Sequence, residues 1–583
     1  WRIFPRKLQG GAASCGRGAM SSRRAMVLTA VVTLFFAVFF LFPVIMVIGE
    51  AFVDRNGGLT LDYISQVFVN PVYLEGLWNA LLLGVTSTLA ALLIAFPLAL
   101  LTHRYRFPLK GPLSALILVP LVLPPFVGAV GVKQMLGVKG SLNAFLEKLG
   151  LMDPAAPMDW LGEGRFWGIV VMNALHLYPI LYMNIAASLA HLDPAMEEAA
   201  QNLGCSPWRR LRRITMPLTM PGIFAGGAIV FIWSFTELGV PLVFDYSRVA
   251  PVQIFDGLKD LESNPFPYAL VAVMLIISSA VFLLSKALLG RSRLGTAPRP
   301  KGRSVERVLR GWKGWAITIG FVGVFLLASL PHMGVIFLSS ATDWYGSVFP
   351  EQLTGAHYEE ALGHPLVVPS IQNSLLYASG AMVVDLVLGL AIAWVIVRST
   401  IRGRALLDAL VMLPLAVPGL VLAFGYLALA QEGRAFSFLV GVNGNPAALL
   451  IIAYAVRRLP YVVRAAVAGL QQSNVTLEEA ALSLGAPPLR MMRRIALPLL
   501  SANLLAGGIL AFAFAMLEVS DSLILAQQAE HFPITKAIYA LLNTLGNGYE
   551  LASALGVWAM VFLGISIVGA VSLAGKRGGL FRM

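Results

Sequence analysis

Charged side chains are scarce in this chain, so the few that interrupt its apolar runs are the first candidates for chemistry. Glu237 and Glu518 lie deep in two such runs, 281 residues apart. An ionisable group in hydrocarbon is costly and faces a cavity or a partner. The two carboxylates could line one cavity and attract a cation or hard metal; alternatively each caps an outer loop, or pairs with Arg248 or Lys536. Asp385 is a lone mid-span acid, either a second cavity carboxylate or an interhelical hydrogen-bonding group. Asn79 and Asn373 add amides near the outer ends of two runs, as candidates for the same pathway or for hydrogen bonds between helices. His176, Tyr178, Arg457 and Arg458 precede the prolines Pro179 and Pro460. A single His there reads as a packed group, because no His/Cys/carboxylate cluster with metal-ligand spacing surrounds it. No catalytic residue and no metal ligand is assigned.

A second group of residues is polar and occurs twice. Glu197-Glu198-Ala199-Ala200-Gln201-Asn202-Leu203-Gly204, followed by Ile214 and Pro217, returns as Glu478-Glu479-Ala480-Ala481-Leu482-Ser483-Leu484-Gly485, followed by Ile495 and Pro498. Asp193 is placed to cap a helix whose first turns hold the glutamates and whose end is Gly204 in the left-handed region. A second short helix from Ser206-Pro207 then carries Trp208 and Arg209, Arg210, Arg212 and Arg213 toward Pro217. The later copy starts at Asn474 or Thr476, with Thr476 and Glu479 spaced as a capping box. The product is a short amphipathic rod with small residues that admit a partner's surface. A lone loop of this kind could simply pack on the bundle; duplication at matched positions favours a paired docking surface.

The elements that must position these groups are membrane helices. Of 583 residues 58% are hydrophobic and 13% charged, and the mean hydropathy is +0.77. A helix needs ~20 mainly apolar residues to cross ~30 Å of hydrocarbon with its backbone satisfied. Spans are expected at Ala25–Ile48, Leu77–Leu101, Gly111–Met135, Phe166–Leu189, Gly222–Leu238 and Pro267–Leu289, then at Trp315–Leu338, Ile371–Val397, Leu407–Ala430, Pro446–Leu470, Ala502–Ile524 and Leu551–Leu573. With the N-terminus inside, most of the 43 basic residues then fall on the cytoplasmic side and most of the 30 acidic residues outside, as short inner loops collect Lys and Arg. The formal charge of +13 thus describes a cytoplasmic face, and nucleic-acid binding is the poorer reading. Pro120–Pro125 and Pro414–Pro418 interrupt spans three and nine, as kinks or as cavity-lining breaks. Only Cys15 and Cys205 occur, too few for a disulfide framework.

The duplication extends beyond the loop. Asn79 matches Asn373, Pro120 matches Pro414, Pro124 matches Pro418 and Gly131 matches Gly425 at an offset of 294; from Pro179 and Pro460 onward the offset is 281. The expected fold is therefore all-α, with twelve transmembrane helices in two six-helix repeats, 20–290 and 314–583, related by a pseudo-two-fold along the membrane normal. Residues 291–313 read as a basic cytoplasmic linker, and 1–19 as an upstream or disordered segment outside the fold.

Glu198-Ala199-Ala200, Gly204, Ile214 and Pro217 resemble the EAA loop of permease subunits in binding-protein-dependent ABC importers of type I. Glu479-Ala480-Ala481, Gly485, Ile495 and Pro498 resemble a second one. The resemblance covers 20–583 as two fused permeases, and the layout is most similar to ferric-iron permeases; thiamine, polyamine, phosphonate and sugar-phosphate importers share much of it. It implies a bacterial inner-membrane protein with both termini cytoplasmic, and no enzymatic activity of its own. It implies that Glu198, Ala199, Ala200, Gly204, Glu479, Ala480, Ala481 and Gly485 couple to an ABC ATPase, in two copies, that carries ATP and Mg. A periplasmic or lipid-anchored substrate-binding protein is the implied outer partner. No cofactor is expected on this chain, which has no G-x-x-x-x-G-K-[ST] phosphate loop. Arginine-rich turns near Trp208 and Met491-Met492, and Pro487-Pro488 in place of Ser206-Pro207, depart from the family pattern and imply unequal docking of the two loops. The rival class is a twelve-helix transporter driven by an ion gradient, which shares every feature except the paired loops.

Overall fold

The computed structural model describes residues 22–575 apart from 55–56, 122, 163–164, 191, 261–263, 293–305, 432 and 441–443. The segment 1–19 and most of the basic linker 291–313 lie outside the described residues. Nine described helices are long and apolar enough to cross a membrane: Ala25–Phe52, Pro71–Arg104, Arg165–Ala190, Pro207–Val243, Phe266–Leu288, Trp312–Ser340, Val367–Arg398, Pro488–Met516 and Gly548–Gly569. The Ala447–Gln472 helix, 26 residues long, carries Arg457, Arg458 and Arg464 and is largely buried. It packs on Val367–Arg398 and Leu497–Met516.

Two expected spans are not continuous. Lys110–Leu121 meets Pro125–Lys148 at 87°, and Arg404–Leu415 meets Gly419–Leu429 at 95°. Counting each pair as one span gives eleven. The breaks fall on the matched prolines, which cannot donate to the preceding turn; each first limb ends in a short 3-10 turn, Val119–Leu121 and Leu413–Leu415. Nearby side chains bind carbonyls around the break in the first half, among them that of Pro124, which also accepts from Gly128 N at 3.1 Å. His176 Nδ1 lies 2.8 Å from Pro120 O, Tyr178 donates to Ile117 O at 2.9 Å, and His332 Nε2 lies 3.2 Å from Pro124 O.

A further difference concerns span five and its mate. The short second helix expected after each repeated loop is the start of the span itself, which runs on from Pro207 or Pro488. Matched π-helical turns at Leu211–Thr215 and Met492–Ala496 make the junction. The extra residue in a π-turn turns the helix face without breaking it, so Pro217 and Pro498 fall in the first α-turn after it.

The halves interlock reciprocally. Phe42–Phe52 of the first half packs on Gly419–Leu429 of the second, and Trp312–Ser340 of the second packs on Pro125–Leu136 of the first. The approach is at backbone distance: a Cβ on Gly425 would stand 2.6 Å from Pro43 O, and one on Gly131 2.2 Å from Pro331 O. Small residues permit such contact between membrane helices. A two-residue parallel ribbon, Tyr105–Arg106 with Arg307–Val308, ties the end of the linker to the end of the Pro71–Arg104 helix.

Candidate functional site

Each repeated loop is a capped helix closed by a glycine. Asp193 accepts from Ala195 N at 3.0 Å, and its mate Asn474 accepts from Thr476 N at 3.1 Å. Asn474 is the cap, and the expected Thr476–Glu479 capping box is not formed: the Thr476 hydroxyl also donates to Asn474. Pro194–Asn202 and Val475–Ser483 end at Gly204 (φ +74°) and Gly485 (φ +84°). Cys205 N reaches Ala200 O and Ala486 N reaches Ala481 O, at 2.9 and 3.0 Å, which satisfies the last carbonyls of each helix.

The adjacent glutamates do different work. Glu198 is exposed and Glu479 half-buried, whereas Glu197 and Glu478 turn inward. Arg398 Nη2 meets Glu478 Oε1 at 2.9 Å with Nε at 3.1 Å from Oε2, and both side chains are under a tenth exposed. Arg398 also donates to Leu470 O and Ser473 Oγ. Arg104 meets Glu197 at 2.5 Å, and Thr215 donates to the same oxygen. Burial raises the Glu197 pKa, but the hydrogen bonds from Thr215 and Arg104 outweigh it and hold it below the usual carboxylate value. Arg104 and Arg398 are repeat-mates at the offset of 294, so each loop hangs from the end of the matching helix of its own half by an equivalent ion pair. That signal lay in the sequence, because the two offsets align both partners; the family motif drew attention to Glu198 and Glu479 instead.

The outward side of each loop carries protruding apolar side chains among polar ones, with Glu198, Gln201, Arg209 and Arg490 exposed as well. Leu203 and Leu484 are repeat-mates, 87% and 88% exposed. Met196 with Leu477, and Trp208 with Leu489, are likewise matched and exposed. Ala199 and Ala480 are exposed among them, while Ala200 and Ala481 are partly covered. Six protruding apolar side chains at three matched positions form two equivalent faces left uncovered among the described residues.

Between the halves lies a cavity of ≈ 150 Å³. Its wall combines the broken helices (Pro124, Pro125, Pro414, Pro418, Gly419) with His176, Arg457, Arg458, Glu237 and Glu518. Glu237 and Glu518 thus share one cavity in unlike settings. Glu518 is held by Arg457 and Arg458, and Arg457 also reaches Asp521 at 3.3 Å. Neither of the expected partners is used: Arg248 pairs with Glu75 at 3.7 Å, and Lys536 donates to Leu523 O at 2.8 Å. Glu237 Oε1 accepts from Gly239 N and Val240 N at 3.0 and 3.2 Å.

The other pathway candidates stand elsewhere. Asn79 donates to Arg248 O at 2.7 Å, and Asn373 to Glu530 O and Phe532 O at 2.8 and 3.2 Å. Both pin a helix to the segment following the glutamate span and lie off the cavity wall. Asp385 is fully buried on the Val367–Arg398 helix, away from that wall, and neither of its oxygens has a hydrogen-bond partner among the described residues. It makes no interhelical hydrogen bond among the described residues and does not line this cavity. No group of three or more His, Cys, Asp or Glu that could hold a metal occurs among the described residues.

Residues 91–294 and 385–574 each match the family described as binding-protein-dependent transport system inner membrane component. The chain belongs to this permease family. It contains the permease unit twice, fused head to tail, as a multi-pass protein of an inner-membrane family. A putative ferric transport system permease protein, FbpB 1, of Haemophilus influenzae is 30% identical over 514 residues, covering 85% of this chain and 77% of the relative. The ferric transport system permease protein FbpB of Actinobacillus pleuropneumoniae is 30% identical over 484 residues, 81% of this permease and 66% of its relative. The spermidine/putrescine permease PotB of Escherichia coli is 32% identical over 200 residues, covering 33% of this chain and 71% of that one. Permeases of this kind are membrane subunits generally without catalytic activity, and the family name itself implies a binding protein.

Proposed function

We propose that this permease is the membrane-spanning part of an ATP-driven importer that passes a small solute, ferric iron by preference, from an external binding protein to the cytoplasm by alternating access. Two copies of an ABC ATPase carrying ATP and Mg dock on the loops 193–217 and 474–498, and hydrolysis resides there. The observation that carries this reading is the pair of matched apolar faces, each fixed by an Arg–Glu pair to the end of a long helix. A partner closing on such faces moves the spans that each loop joins, Arg165–Ala190 with Pro207–Val243 and Ala447–Gln472 with Pro488–Met516, and residues of these spans line the cavity. The iron assignment is supported by the names of the relatives that cover most of the chain.

The twelve-span arrangement, with both termini cytoplasmic, belongs to this proposal. The nine apolar helices, the two bent pairs and Ala447–Gln472 make up the twelve; a helix of 26 residues is ~39 Å long at ~1.5 Å per residue. A pseudo-two-fold axis is supported by the reciprocal Gly131–Pro331 and Gly425–Pro43 contacts. It is also supported by Lys536, which lies 5.8 Å from the ring of Phe255, its own repeat-mate; self-matching contacts occur near a two-fold.

The reading is tested in proteoliposomes with the permease, its co-purified ATPase and a ferric-loaded binding protein. Uptake of iron should require ATP hydrolysis, and Glu198→Arg or Glu479→Arg should abolish uptake while leaving the permease folded in the membrane. Uptake by the purified chain alone on a proton or sodium gradient would sink the importer reading.

A further inference from the structure

We infer that the two cavity glutamates have divided roles: Glu237 is the carboxylate that binds a hard multivalent metal cation in the cavity, and Glu518 is a structural latch. The inference rests on the cavity being the solute route.

The charges of the second half close on one another. Arg457 joins Glu518 to Asp521, and Arg458 takes the remaining oxygen of Glu518. Two guanidiniums and two carboxylates cancel, and they fasten the Ala447–Gln472 helix to the segment after Leu497–Met516. A Cβ on Gly419 would fall 2.2 Å from Arg457 Nη1, so this network also fills the break in the bent span. In the first half the positions equivalent to Arg457, Arg458 and Asp521 are His176, Leu177 and Val240. No such network is available to Glu237.

What remains is one uncompensated carboxylate on one wall. Glu237 has no Lys or Arg within ion-pair distance among the described residues. Its Oε1 is held by two backbone N–H groups, no hydrogen bond to Oε2 is found among the described residues, and the residue lines the cavity. His176 makes no ion pair with Glu237 among the described residues, and its Nδ1 lies 2.8 Å from Pro120 O instead. Oxygen donors such as carboxylate, hydroxyl and water suit hard cations, and Ser520 of the second half is among the residues lining the same cavity. A single carboxylate binds such an ion weakly, which is what passage demands: favourable enough to enter, loose enough to leave. Two free carboxylates would hold the ion far more tightly. The latch on Glu518 prevents that.

The test uses the full chain in lipid nanodiscs and Tb³⁺ as the hard cation, read by luminescence sensitised through Trp233, which lines the cavity. Glu237→Gln should weaken Tb³⁺ binding at least tenfold with an unchanged unfolding midpoint. The charge-neutral double variant Arg457→Gln/Glu518→Gln should bind Tb³⁺ within threefold of the parent while unfolding at lower temperature. Trp233→Phe should remove most of the signal. Equal binding by the parent and Glu237→Gln overturns the inference, as does loss of binding by a folded double variant. Displacement of Tb³⁺ by spermidine at lower concentration than by La³⁺ overturns the metal class in favour of an organic amine. Binding is read here without an ATPase, so a failure of ATP-driven uptake and a failure of this assignment are separate results.

Discussion

At the scale of single residues, the two loop anchors share a design and differ in environment. The Arg398–Glu478 pair is bidentate and removed from solvent, with two additional acceptors for the guanidinium. Removing one member of such a pair strands a buried charge and costs about 3–5 kcal/mol. Arg104–Glu197 is partly exposed, and water replaces a lost partner there, so the cost is about 1 kcal/mol or less. Arg398→Leu should therefore lower the unfolding midpoint and expose 474–498 to protease, while Arg104→Leu shifts the midpoint little. The pH response of the first anchor has a definite sign. A carboxylate whose folded pKa lies below its unfolded value stabilises the folded state above the ordinary carboxylate range and loses that contribution as pH falls through the folded value. Protease susceptibility of 193–217 should thus rise below about pH 4, near the ordinary Glu pKa, and Glu197→Gln should flatten that dependence.

At the scale of elements, glycines set where helices stop and how closely they meet. Gly204 and Gly485 have positive φ, which in an L-residue costs roughly 1–2 kcal/mol. Gly131 and Gly425 act by absence of volume, since each faces a carbonyl of the opposite half. Gly425→Val would force the Phe42–Phe52 helix off its partner, and overpacking of this kind costs about 1–3 kcal/mol. Gly425→Val should therefore lower the unfolding midpoint of the purified chain, and the smaller Gly425→Ala should lower it less.

At the scale of the whole molecule, the halves meet at Lys536 and Phe255, where the ammonium also lies 5.5 Å from the Phe532 ring. Burial pushes the Lys536 pKa down to about 8, against an ordinary value of ~10.4. Between those values the unfolded chain binds more protons than the folded one, so stability should rise with pH across that window. Unfolding midpoints of the parent should climb from pH 8 to 10, and Lys536→Met should remove the climb. The sequence alone determined the helical membrane-spanning class, the duplication and the two helices closed by glycine, because hydropathy runs and a terminal glycine act within a few residues of one another. It also placed the proline breaks, since a missing N–H is a local fact. Only the tertiary structure decided that Glu518 is ion-paired while Glu237, among the described residues, is not. Their spacing is identical, and the difference comes from Arg457 and Arg458, about 60 residues away in sequence and in contact only after the helices pack. The same packing took Asn79, Asn373 and Asp385 off the cavity wall, because the face a helical residue presents depends on what its neighbours cover.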